Sequence, residues 1–389
     1  MTTTIPSPTT TTPESFRGRL VDCDAHLHPV PADFPLMLGA SFAQRYRELE
    51  SQRIGLDVID QMVEQSKSIV LGPDNVWEVK GWASPAAGDA RERLKALDLM
   101  GIDRQILFPI AFVAALLVSK MEGAAEAARI HNDYILEWSK EAKGRLRPVA
   151  MIPTLTVDAA LEETRRTLDA GAYAVNIACG RPPGDLSPAD PAWDPFWAML
   201  AEADVPALLH IGGEAGFVPR PWGRIPSIDE RPSQRGGEAL GPYNLVTMHM
   251  GAQAFVSAMV LGGVFERHPS LRFGVIELGA QWVGPMADLM DQRVKVKLAG
   301  NAPLAESLPL KPSEYLARNV RVTPFFFEPV GTYIDRYGLE DVYVFSTDYP
   351  HPEGGRRPIQ DSYESLKHLG DAVIEKYMVR NGELLLPPR

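Results

Sequence analysis

Eight short apolar runs, most of them separated by stretches with helical spacing, constrain the fold of this 389-residue chain more than any other feature. They lie at residues 20–26, 104–109, 146–152, 173–178, 207–211, 272–278, 320–325 and 342–347. Each is β-branched or continuously apolar rather than alternating, which is the pattern of a strand covered on both faces. Between them, residues 122–143, 158–170, 254–267 and 281–298 carry apolar positions three or four apart, and Gly171 stops the second of these helices. A strand–helix unit repeated eight times predicts a parallel α/β sheet that closes into a (β/α)8 TIM barrel. A doubly wound open sheet is the competing arrangement, but no glycine-rich phosphate turn follows the first run. The expectation is one barrel domain over residues 17–389, preceded by a Thr/Pro-rich disordered tail over residues 1–16.

Two long insertions interrupt the repeat, residues 29–88 after the first strand and 212–244 after the fifth. Both leave the C-terminal ends of strands, the face on which barrel enzymes build their sites. The first has a helical pattern around residues 54–70, and both are expected to frame a lid. Trp77 and Trp82 in the first, and Trp222 in the second, are candidate walls for an apolar or aromatic substrate. Arg181, Arg220 and Arg224, in the loops after strands 4 and 5, are candidates to fork onto a substrate carboxylate.

Charge and cysteine content narrow the function classes. The net charge of −11 argues against nucleic acid and anionic membrane surfaces as partners. The two cysteines, Cys23 and Cys179, sit in apolar runs and give no disulfide framework. No signal-peptide pattern opens the chain, and no apolar run approaches the ~20 residues of a membrane span. A cytoplasmic protein acting on a small molecule is the expectation.

The chemistry concentrates at strand ends. In Asp22-Cys23-Asp24-Ala25-His26-Leu27-His28-Pro29, two histidines stand two apart at the end of the first run. In a strand, residues i and i+2 share a face, so both imidazoles can reach one ion, and the chain holds only eight histidines. His210 ends run 5, Glu277 ends run 6, and Asp348 ends run 8 with His351 three residues on. In a barrel all these ends converge on one mouth. Three imidazoles and a carboxylate suit Zn²⁺ or a similar divalent ion with one position left open.

The Asp24-x-His26-x-His28 opening, the His210 strand, the run Gly262-Gly263-Val264-Phe265-Glu266-Arg267-His268-Pro269-Ser270-Leu271-Arg272 and the run Ser346-Thr347-Asp348-Tyr349-Pro350-His351 together resemble the amidohydrolase superfamily. The resemblance is closest to the branch that includes aminocarboxymuconate-semialdehyde decarboxylase. It implies a (β/α)8 barrel with one catalytic divalent ion, zinc foremost and manganese second, held by His26, His28, His210 and Asp348, and it implies a homodimer. Two departures matter. Dinuclear members carry a carboxylated lysine on strand 4, where this chain reads Ala174-Val175-Asn176-Ile177-Ala178, so a mononuclear site is expected. Decarboxylases of the branch place a histidine after strand 6, where this chain has Glu277. Glu277 is then a candidate base or ligand, and His249, at the start of the next helix, is a candidate replacement imidazole. His351 is expected to orient a ligand or touch substrate.

Two reactions fit that set. In hydrolysis, Asp348 or Glu277 takes a proton from water, and the hydroxide attacks an amide- or lactone-type carbonyl. In non-oxidative decarboxylation, an acid such as Asp348 or a nearby histidine protonates the carbon that loses CO₂. The absent strand-6 histidine tips the sequence reading toward hydrolysis of a small carboxylated or aromatic compound, with decarboxylation as the alternative. A catalytically silent binding protein is the third reading, disfavoured because no expected ligand is missing.

Overall fold

The computed structural model describes residues 11–228, 241–296 and 308–388. Seven strands form one parallel sheet in sequence order: β1 Leu20–Asp22, β2 Ile102–Leu107, β3 Leu146–Met151, β4 Ala174–Asn176, β5 Ala207–His210, β6 Phe273–Ile276 and β7 Val320–Val322. Apart from the half-covered Asp103, every strand residue is buried, as continuously apolar runs between two layers require. The ladders are shorter than the apolar runs because the chain leaves its neighbour at the C-terminal ends and turns polar side chains inward.

The eighth run differs from expectation. Residues 342–347 make no ladder of their own, only an isolated parallel bridge between Tyr343 and Val322. The run still joins both edges of the sheet. Val322 N–H donates to Val342 O (2.9 Å) and Val344 N–H to Val322 O (3.1 Å), while Cys23 N–H donates to Phe345 O (3.1 Å) and Asp348 N–H to Asp24 O (3.0 Å). These bonds tie β7 to β1 and close the curled sheet. Regular pairing ends where Asp348 enters the left-handed region at φ +50°.

Asp22 fastens that closure from inside. Its carboxylate accepts from Thr347 N–H (2.8 Å), from the Gln105 amide on β2 (2.6 Å) and from the Thr347 hydroxyl. One buried side chain thereby joins β1, β2 and the eighth run.

Between β1 and β2 the chain builds helices α1, Phe34–Arg53, and α2, Leu56–Ser66. Other helices cover the sheet, among them Ala90–Met100, Ala124–Ser139, Val157–Asp169, Met250–Leu261 and Val283–Arg293. Residues 254–267, expected as one helix, are two, divided at Gly262 and Gly263; Gly263 sits at φ +71°. The expected helix over 281–298 ends at Arg293, and its last residues lie outside the described ones. Much of the expected tail lies outside them as well, but Pro13–Phe16 form a short turn and Phe16 is fully buried, so ordered chain begins before residue 17. Residues Pro242–Leu261 do reach the length and hydropathy of a membrane span, contrary to the expectation. That stretch includes a break at Met248 and His249, and Phe255, Val256, Met259 and Val260 are packed into the core. Cys23 and Cys179 are buried free thiols.

Burial pushes the Asp22 carboxyl up to about 6, from an ordinary 3.8, against the hydrogen bonds that favour its ionised form. The folded state therefore holds an extra proton between about pH 4 and 6, and stability falls as pH rises through 6. Thermal unfolding followed from pH 4 to 7 should show that decline in the native chain and a flatter profile in Asp22→Asn. Equal slopes would remove Asp22 as its source.

Candidate metal centre and active site

The polar residues at the strand ends meet on one atom. His26 Nε2 lies 3.4 Å from Asp24 Oδ1, 3.5 Å from Glu277 Oε2 and 3.4 Å from Asp348 Oδ1. His210 Nε2 lies 3.4 Å from the same Asp24 oxygen and 3.3 Å from Glu277 Oε2. His351 Nδ1 stands 2.8 Å from Asp348 Oδ1, and its ring stacks on that of His26 with centroids 4.0 Å apart. All six side chains are buried.

Strand register builds this cluster. His210 pairs with Ile276, so Glu277 follows directly beside it at the end of β6. Glu277 N–H donates to the Thr323 hydroxyl beyond β7 (2.9 Å). Glu277 and Asp348 both hold positive φ, +55° and +50°. For non-glycine residues this is a strained conformation, and it clusters at functional sites. His210 Nδ1 lies 3.0 Å from Ile211 O, so the N–H is on Nδ1 and the Nε2 lone pair faces the carboxylates. Gly354 permits the tight turn below Asp348, since a Cβ there would fall 1.9 Å from Thr347 O.

The charge balance identifies what the cluster can hold. Burial opposes ionisation of Asp24, and the same carboxylate oxygen faces both His26 Nε2 and His210 Nε2. Three carboxylates gathered on one imidazole nitrogen repel one another and need a cation or protons. Two overlapping groups have ligand atoms within 4.8 Å of one another: Asp24, His26, His210 and Glu277, and His26, Glu277, Asp348 and His351. They share His26 and Glu277, so they overlap in one place. The donor set of carboxylate oxygens and imidazole nitrogens fits a divalent metal.

The sequence candidates do not all meet. His26, His210, Glu277, Asp348 and His351 come together. His28 stands outside both ligand groups: its ring packs 4.7 Å from Trp82 and 4.9 Å from His351, and burial holds its pKa well below the usual value. His249 lies apart, its Nδ1 3.2 Å from the Gln281 amide and its ring stacked over Trp282. Arg181, Arg220 and Arg224 line a different cavity, of about 620 Å³, to which none of the clustered residues contributes. Trp222 is 71% exposed and lines neither cavity. Trp77 packs against the Lys80 ammonium (5.7 Å) rather than lining the site.

The cavity that reaches the cluster measures about 250 Å³, and His26 and His351 line it on the cluster side. Trp82, Ile110 and Phe112 give it an apolar wall, and Tyr46, Glu50 and Arg53 of α1 complete it. The sequence reading missed Asp24 and the α1 residues. Asp24 was legible, because it precedes His26 by two and shares its face. Tyr46, Leu49, Glu50 and Arg53 follow helical spacing, but only tertiary contact shows which side of the helix faces the mouth.

With this geometry established, the comparisons fall into place. The family model described as Amidohydrolase matches residues 23–387. The chain belongs to the amidohydrolase family. It is similar to the gamma-resorcylate decarboxylase of Rhodococcus jostii (strain RHA1), 29% identical over 269 residues that cover 66% of this chain and 76% of that one. An amidohydrolase structure from Mycobacterium avium subsp. paratuberculosis K-10 shares the fold with a TM-score of 0.70, at 20% identity over 95% of this chain and 98% of that one. A dihydroxybenzoic acid decarboxylase from Polaromonas sp. JS666, solved with manganese and the inhibitor 2-nitroresorcinol, superposes with a TM-score of 0.60, at 17% identity over 95% and 96%. The chain is thus an amidohydrolase-family enzyme, of hydrolase or carboxy-lyase type.

His26 is oriented from behind by Arg93. The buried guanidinium donates to His26 O (2.6 Å), Ala86 O (2.7 Å) and the Gln105 side-chain oxygen (3.0 Å), and lies 4.9 Å over the Tyr349 ring. Arg93→Met should cost about 3 kcal/mol or more in denaturant unfolding, because it strands several buried acceptors. A loss below about 1 kcal/mol would show that water replaces them.

Proposed function

We propose that this protein is a metal-dependent, non-oxidative decarboxylase of a small aromatic carboxylic acid. The observation that carries the reading is His351: an imidazole paired with Asp348, stacked on His26 and lining the cavity that reaches the carboxylate cluster. The hydrolytic reading rested on the missing histidine after strand 6. The loop after the eighth run supplies an imidazole to the same mouth, and the similarity to gamma-resorcylate decarboxylase supports the same preference. Decarboxylation therefore replaces hydrolysis as the preferred reaction.

Asp24, His26, His210, Glu277 and Asp348 would hold one divalent ion. Bound there, it would supply positive charge for the substrate carboxylate and for an adjacent oxygen. Three carboxylates in the set favour manganese at least as much as zinc. The aromatic wall of Trp82 and Phe112 holds the ring and excludes water. Asp348 holds the His351 proton on Nδ1, which leaves the other ring nitrogen free to take the proton of a substrate hydroxyl and hand it on. His351 delivers a proton to the ring carbon that bears the carboxylate. The bond from that carbon to the carboxylate then breaks, its electron pair restores the ring, and CO₂ leaves. His28 lines the substrate cavity in this reading and is not a ligand.

Elemental analysis of purified protein should return about one divalent ion per chain, and Asp24→Asn should lower it severely while His28→Gln retains it. Metal retained in Asp24→Asn and lost in His28→Gln would exchange their roles. With manganese-loaded enzyme and a panel of hydroxybenzoates, CO₂ release should be detectable and should fall about 10²-fold or more in His351→Asn at unchanged metal content. Unchanged turnover in that variant would remove His351 from the proton transfer. Hydrolysis of amide or lactone substrates without any CO₂ release would overturn the decarboxylase reading.

A further inference from the structure

The larger cavity, of about 620 Å³, lies beside the one that reaches the cluster, and the reaction above does not use it. Arg181, Arg220 and Arg224 all line it. Ala115 is the one described residue common to both cavities. A chain of net charge −11 thus places three cations around one hollow, with Glu214 the one acid among the described lining residues. Among the described residues, no hydrogen bond or ion pair holds any of the three guanidinium groups. Asp185, on which the charge of Arg181 acts, is paired with Lys120 instead (2.8 Å). Cations gathered on one cavity repel one another, and an anion between them removes that cost.

The backbone that carries these arginines is fixed. Cys179 N–H and Gly180 N–H both donate to Gly213 O, at 2.8 and 2.7 Å, which brings Arg181 to the loop after β5. The approach is close: a Cβ at Gly180 would fall 2.2 Å from Ala215 O. Gly213 N–H donates in turn to His210 O (3.1 Å), so the loop is anchored on β5. Arg220 stands between Pro219 and Pro221 and opens the short turn Arg220–Gly223, and Arg224 N–H donates to Pro221 O (3.3 Å). Proline on both sides removes backbone freedom that binding would otherwise have to freeze. Val118, Phe217 and Tyr243 give the same cavity apolar surface.

We infer that this cavity is a binding site for a small organic anion bearing two or more carboxylate or phosphate groups, separate from the ion cluster. The planar fork of a guanidinium matches one such group with two parallel N–H donors. Three guanidinium groups on one cavity therefore suit a ligand with more than one acid. The apolar surface beside them suits an anion built on a carbon skeleton. None of the clustered residues lines this cavity, so the site stands independently of the decarboxylase reading.

Calorimetry on the purified full-length protein at low salt tests this with benzene-1,3,5-tricarboxylate, 1,4-phenylenediphosphonate and, as a single-acid reference, benzoate. At least one of the two polyanions should bind about 10-fold tighter than benzoate or better, the size expected for added hydrogen bonds between charged groups. The tighter of the two identifies the preferred acid. Arg220→Gln combined with Arg224→Gln should weaken that probe about 10-fold or more. Both side chains are exposed, so the change leaves the core intact. Asp24→Asn, which alters the ion cluster, should leave the affinity unchanged. So should Arg129→Gln, which removes an exposed arginine that does not line the cavity. Polyanions that bind no better than benzoate, or an affinity that survives the double substitution, overturn the site. Binding lost in Asp24→Asn assigns the probe to the cluster, and binding weakened equally by Arg129→Gln assigns it to diffuse surface charge; either result overturns the site as well.

Discussion

Three buried carboxylates converge on a single imidazole nitrogen, His26 Nε2, and the architecture around the barrel mouth follows from that electrostatic demand. Like charges at this spacing, away from water, are tolerated only with a compensating cation or proton. The surrounding structure is arranged to keep them there. Glu277 and Asp348 accept left-handed backbone, His210 has its tautomer fixed by Ile211 O, and Arg93 holds the peptide of His26. The left-handed backbone costs free energy, the hydrogen bonds offset it, and together they preorganise the cluster.

The closure of the sheet serves the same end. The eighth run makes no regular ladder, yet its backbone bonds bring Asp348 N–H to Asp24 O and Tyr349 O to His26 N–H. Three residues of the cluster, Asp24 and His26 near one end of the chain and Asp348 near the other, are set by the bonds that seal the ring. Asp22 lies directly behind them and links Thr347 to Gln105. The bonds that close the fold therefore also position the site, and damage to either should appear in the other.

Above the cluster, the β1 insertion supplies part of the cavity wall. α1 presents one stripe of side chains to a cavity whose other walls are aromatic and aliphatic. The cluster stands at strand ends, whereas this wall belongs to the loop between β1 and β2. Separating reaction from recognition in this way lets a barrel change substrate by changing a loop.

The sequence by itself determined the layered α/β fold, the order of the strands and most of the cluster. Continuous apolar runs can be satisfied only between two covering layers, and a histidine or acid at the end of such a run must point into the mouth. His26, His210, Glu277, Asp348 and His351 were legible on those grounds. Tertiary structure alone decided which neighbour on the first strand joins the cluster. Asp24, His26 and His28 share a face by alternation, but the chain leaves the sheet after His26, and His28 N–H pairs instead with Ala87 O, which turns its ring toward Trp82. The arginines expected to reach the substrate line a separate cavity, while Arg53 lines this one. Loop and insertion residues carry no periodicity that fixes their direction. Only packing against the barrel selects the face that meets the site.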